Sequence, residues 1–191
     1  MFDSLMRRLR RARIDELDLE QFHDLERLWR MRAVEVAATG RTIREIYVDI
    51  RDLTGKPLKV VIAPGLSFLA RGAHQNMVAC KEEVVRLKPN GTRYLTLRVA
   101  CLNASRPIPG DSDNFRGVKR APENVERYLH AASAEEPMTI QAGVWMLTDS
   151  LSDHELKERL TGVDQDGRSR AGINDHHINA ARAALDRAAT G

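Results

Sequence analysis

Leu87-Lys88-Pro89-Asn90-Gly91-Thr92-Arg93-Tyr94-Leu95 joins two stretches of strand-like sequence, 76–88 and 93–102, and its reading decides the fold class. Asn-Gly accepts two consecutive positive φ angles with little strain, as a type I′ turn demands, so the stretch predicts a β-hairpin turning at Asn90-Gly91. On its second strand Leu95, Leu97, Val99 and Cys101 fall on one face. Two registers are open. A two-residue loop pairs residue 89 with 92 and sets Cys80 opposite Cys101, whereas a bulge or an odd-length loop aligns Val85 and Leu87 with Leu95 and Leu97. The apolar alignment is preferred, because the first register sets Glu82 against Val99 and Arg86 against Leu95. No Cys80–Cys101 disulfide is therefore expected.

Working upstream, Ile46, Val48 and Ile50 alternate with Tyr47, Asp49 and Arg51, the period of a half-buried strand. Thr54-Gly55-Lys56-Pro57 reads as a turn. Leu58, Val60 and Ile62 resume the alternation, and Pro64-Gly65 breaks it before a short strand at 67–69. Short strands punctuated by turns indicate an antiparallel sandwich or barrel. Downstream of Asn103, the run Ser105-Arg106-Pro107-Ile108-Pro109-Gly110-Asp111 is loop chemistry, and the polar stretch through Lys119 reads as irregular.

The ends of the chain carry helical periods. Ser4 can cap a short basic helix over 4–12, with Leu5, Met6, Leu9 and Ala12 as a narrow apolar stripe. A second helix is predicted from Asp15 to Ala38: acids cluster at its start, Phe22, Leu25, Trp29 and Val36 recur at helical spacing, and Gly40 stops it. Pro122 and Pro137 suit the first turns of two later helices. Ser152-Asp153-His154-Glu155 matches a capping box, and Asn174 or Asp175 can cap a final helix. The chain thus reads as α+β: an N-terminal helical arm (1–40), a central antiparallel β-sandwich or barrel-like domain (41–118) and a helical C-terminal subdomain (119–191).

Bulk properties exclude several classes. Of 191 residues, 42% are hydrophobic and 30% charged, a balance far from that of disordered chains, and no run is long enough to span a bilayer. Arg7, Arg8, Arg10 and Arg11 interrupt what a secretory signal would need as an apolar core, and there are only two cysteines. A cytoplasmic location is expected. The net charge of +3 is too small to indicate a partner.

One segment carries candidate chemistry. Thr139-Ile140-Gln141-Ala142-Gly143-Val144-Trp145-Met146-Leu147-Thr148-Asp149 resembles the Thr-Gln-x-Ala-Ile-Trp-x-x-Thr-Asp signature of bacterial thioester domains. Ile140-Gln141 stands in place of Thr-Gln, and Gly143 where Ala would continue. That family also places a Cys at a strand end before a Pro-containing loop, and Val99-Ala100-Cys101-Leu102-Asn103 with Pro107 and Pro109 is similar. The resemblance covers residues 95–150. It implies an internal thioester between Cys101 and Gln141, later opened by a nucleophile on a target to leave a covalent attachment. Such closure requires two side chains held together away from bulk water. From the residues alone, the favoured reading is Cys101 as a small core residue on the face of Leu95, Leu97 and Val99, with Gln141 capping or packing locally.

The basic arm points to a partner. Arg7, Arg8 and Arg11 beside Leu5 and Leu9, together with Trp29 on the second helix, form a surface for docking a larger protein; an anionic membrane or nucleic acid is a secondary reading. The leading functional expectation is a non-enzymatic protein-interaction module without a small-molecule cofactor, and the alternative is covalent attachment through Cys101 and Gln141. No metal site is expected. His176 and His177 point about 100° apart on a helix. Asp164-Gln165-Asp166-Gly167 places Arg168 where a calcium loop needs an oxygen ligand. No nucleophile elbow, P-loop, dinucleotide fingerprint or zinc-protease motif is present.

Overall fold

The computed structural model describes residues 14–163 and 169–190, and within them the chain is a mixed α+β fold around a closed six-stranded barrel. A short strand β1 (Phe22–Asp24) leads into helix α1 (Leu25–Arg30), then into strands β2 (Val34–Thr42) and β3 (Glu45–Asp52). Five strands follow: β4 (Leu58–Ile62), β5 (Leu66–Ala70), β6 (Met77–Ala79), β7 (Glu83–Leu87) and β8 (Thr92–Cys101). After β9 (Asn114–Arg120) come helices α2 (Glu123–Ala131), α3 (Pro137–Thr148) and α4 (Asp153–Arg159). A small antiparallel pair, β10 (Thr161–Val163) and β11 (Ser169–Ala171), precedes the last helix, α5 (Asp175–Thr190).

The barrel closes in the order β2-β3-β8-β6-β5-β9, and the predicted alternation sets its lining. Ile46, Val48 and Ile50 of β3 and Leu97 and Val99 of β8 point inward and are buried, while Tyr47 and Tyr94 face out. Closure removes the unpaired edges of an open sheet. A second sheet, β1-β4-β7, carries β1 parallel to β4 and β7 antiparallel to it. Its Leu58, Val60, Ile62, Val85 and Leu87 join the same apolar core.

The turn at Asn90 exists, but it joins two sheets instead of closing a hairpin. β7 pairs with β4, whereas β8 pairs with β3 and β6. Gly91 N–H donates to Lys88 O at 2.9 Å, and Asn90 has φ 55° while Gly91 is not in the left-handed region. Pro89 and Asn90 are therefore the central residues, as in a type II turn with Pro first and a positive φ second. A type I′ turn would need Asn90 and Gly91 there. One residue of displacement changes the turn type and sends the strands apart. Neither expected register forms: β8 pairs with β6 as Met77↔Cys101, Val78↔Ala100 and Ala79↔Val99.

Asp52 ties that turn down. Its buried carboxylate accepts hydrogen bonds from Thr54 N–H (2.9 Å), Thr54 Oγ1 (2.7 Å), Gly55 N–H (3.0 Å) and Asn90 N–H (2.8 Å). Asp52→Ala is expected to lower stability by about 2–4 kcal/mol, because it strands several donors at once. Urea denaturation measures it, and a change within the range of ordinary surface substitutions would contradict this role.

The helix predicted over 15–38 is also corrected. The helical spacing of Leu25 and Trp29 holds only through Arg30, where a Schellman motif ends the helix: Ala33 N–H donates to Leu28 O and Arg32 N–H to Trp29 O, both at 2.9 Å. Arg32, with φ 54°, occupies the left-handed position that glycine usually takes. From Val34 the chain is a barrel strand. The barrel thus runs from residue 34 to residue 120, beyond both expected limits of the β-rich domain. The basic helix expected over 4–12, with Leu5, Arg7, Arg8, Leu9 and Arg11, and the loop Asp164–Arg168 lie outside the described residues.

In the C-terminal third the helix starts follow their sequence signals, whereas the loop expected after α4 carries the strand pair β10–β11. Pro137 opens α3, and Ser152 and Glu155 form the capping box of α4. Asn174 Oδ1 accepts from His177 N–H while His177 Nδ1 accepts from Asn174 N–H, each at 3.2 Å. His177 thus does the reciprocal work of a capping box.

Candidate covalent site at the end of β8

The site arises where one neighbour of β8 runs out. β3 pairs with β8 from Arg51↔Thr92 to Glu45↔Arg98, and Val99 N–H still donates to Arg44 O at 2.8 Å. β6 bonds the opposite edge through the even-numbered residues, with Cys80 N–H donating to Arg98 O and Leu102 N–H donating to Asn76 O. Because bonding directions alternate along a strand, the peptide groups of Cys101 face the side that β3 has left. Buried there without partners they would be costly.

Helix α3 supplies the partner. Gln141 Nε2 donates to Cys101 O at 2.9 Å, and Cys101 N–H donates to Gln141 Oε1 at 2.8 Å. The carboxamide therefore replaces a peptide unit of the missing strand. Cys101 is 0% and Gln141 1% exposed, so the pair is shut off from bulk water. The two residues singled out in the sequence meet across 40 positions of chain.

The position of Gln141 follows from how α3 is buried. Seven consecutive residues, Thr139 to Trp145, are inaccessible, as expected of a helix covered on all sides. Gly143 leaves room for its neighbour: a Cβ there would run into the ring of Tyr128 on α2. The Tyr128 hydroxyl in turn donates to Thr139 O at 2.8 Å, fixing the first turn of α3. At the other end, Asp149 Oδ1 accepts from Ala104 N–H at 3.1 Å and Oδ2 from Thr148 Oγ1 at 2.6 Å. Asp149, braced by Thr148, thus holds the chain just beyond Cys101.

Buried Gln75 organises the same loop. It donates through Nε2 to Arg106 O (2.9 Å), accepts from Asn103 N–H (3.3 Å), and its own N–H reaches Pro107 O (3.0 Å). Nothing in the spacing around Gln75 marks it, because its partners lie about thirty residues away. Met77 was equally hidden: Cys101 Sγ lies 3.5 Å from its sulfur.

Neither cysteine is in a disulfide. Cys80 stands beside Arg98, and the disfavoured Cys80–Cys101 register does not form. Burial pushes the Cys101 thiol up to about 12 from 9.0. Cys80 rises equally, through burial that outweighs the pull of Arg98 and Lys81. Tyr128 is also raised, by burial first. The folded state thus keeps protons that the unfolded chain releases. The stabilisation from Cys80 is whole below pH 9 and is lost as pH climbs towards about 12. Denaturation midpoints measured at rising pH should fall across that window, and less steeply in Cys80→Ala; parallel curves would contradict the contribution of Cys80.

Among the expected partner-binding residues, Trp29 is the one described. Its ring packs on Gly117 of β9, where an added Cβ would come within 2.9 Å of it, and it is half-buried. Among the described residues no cluster of three or more metal-ligating side chains occurs, and no helix is long and apolar enough to cross a membrane. Comparison with protein-family models, curated proteins and solved structures finds no match to this chain.

Proposed function

We propose that the chain is a covalent attachment module in which Cys101 and Gln141 close an internal thioester that an amine of a partner protein later opens. The supporting observation is the reciprocal pair of hydrogen bonds that seats the Gln141 carboxamide on Cys101, inside a dry site. The Cys101 N–H, 2.8 Å from Oε1, is the donor that polarises this carbonyl and stabilises negative charge developing on it. The Nε2 donation to Cys101 O orients the leaving group.

In the closing step Sγ attacks Cδ of Gln141, the Cδ–Nε2 bond breaks, and the thiol proton leaves with nitrogen as ammonia. The raised thiol makes closure slow, and a reaction that happens once per molecule tolerates that. The product is neutral, so burial does not oppose it as it opposes a thiolate. Attack by the partner amine then forms an amide at Cδ and returns the Cys101 thiol. Release of the loop held by Gln75 and Asp149 is the motion that admits the amine.

Intact-mass measurement of the purified full chain tests the reading. The mass should be short by one ammonia, recover with addition of methylamine, and show no deficit in Cys101→Ser. A full mass with both thiols titratable after unfolding would overturn it.

A further inference from the structure

A separate cavity of about 390 Å³ opens beside the β2–β3 turn, where the start of α3 faces β8. Its volume is in the range of small-ligand sites. Its floor is apolar: Cys80, Val99 and Ile140 are buried there. Its mouth is charged and asymmetric. Arg44, Lys81 and Arg98 line it, all three exposed, and none forms an ion pair among the described residues. The two acids present are turned to other cations, Glu45 to Arg41 at 3.0 Å and Glu135 to Arg187 at 2.8 Å. The cavity therefore presents uncompensated positive charge above an apolar floor.

We propose that this cavity binds a small organic anion with an apolar body, of the kind represented by a medium-chain carboxylate. Charge complementarity selects the head group. The Cys80, Val99 and Ile140 surface receives the tail, and release of water from it favours binding. An amine is excluded by the same three cations, so this is not the entry for the nucleophile of the thioester reading, and the inference needs no reaction at Cys101.

Titration of the full chain with octanoate tests it, followed by calorimetry and by the methyl NMR signals of Val99 and Ile140. Saturable binding that moves those signals is expected. It should weaken by about tenfold or more in Arg44→Gln/Lys81→Gln/Arg98→Gln, whose substitutions are at the surface and should leave the melting curve unchanged. Octylamine should not bind. Lack of saturation with octanoate, equal binding of octylamine, undiminished affinity in the triple variant, or inorganic phosphate binding as tightly as octanoate would each overturn the proposal.

Discussion

In a Cys101→Ser background, where the carboxamide stays intact, Gln141→Leu is expected to reduce the unfolding free energy by about 2–5 kcal/mol, because it leaves two buried peptide groups without partners. Among the described residues, the Cys101 N–H and C=O meet only the carboxamide on the side that β3 has vacated. Leucine fills similar volume, so the loss isolates the polar term from a cavity term. Gln141→Glu retains an acceptor and should fall between the two. Urea denaturation provides the comparison, and a loss for leucine within the spread of surface substitutions would show that the strand end is satisfied some other way.

Gly143→Ala should be nearly as damaging, at about 1–3 kcal/mol, through overpacking. The ring of Tyr128 occupies the space a Cβ requires, and both are buried between α2 and α3. The rival expectation is that alanine, a better helix former, stabilises α3. A double-mutant cycle decides between them. With Tyr128→Leu removing the ring, the added cost of Gly143→Ala should shrink, and strict additivity would contradict the contact.

Local signals were legible wherever both the period and its boundary are written in neighbouring residues. The inward faces of β3 and β8, the Pro137 start of α3 and the Ser152–Glu155 box all belong to this group. The end of α1 does not. Its left-handed residue is Arg32, and with no glycine before Gly40 the sequence carries no mark of where the helix stops and strand β2 begins. The turn at Asn90 was visible, but its type depended on Pro89 taking the first central position, and its topology on β4 capturing β7. Such long-range pairing leaves no local trace.

The candidate site divides in the same way. Cys101 and Gln141 could be named from one sequence, because the motif and the strand end each lie in a short window. What seats them could not. The departure of β3 after Glu45, the ring of Tyr128 against Gly143 and the grip of Gln75 on the loop at 103–107 all depend on contacts between distant segments.

The bond itself is tested most directly by peptide mapping. Trypsin digestion without reductant under mildly acidic quenching should leave residues 99–116, with Cys101, and 128–157, with Gln141, as the two peptides of interest, since Pro107 protects Arg106. A single cross-linked species combining both and lacking one ammonia is expected, which methylamine treatment before digestion resolves into a free-thiol peptide and a methylamide peptide. Two linear peptides of full mass from untreated protein, with Cys101 alkylated and Gln141 intact, would contradict it.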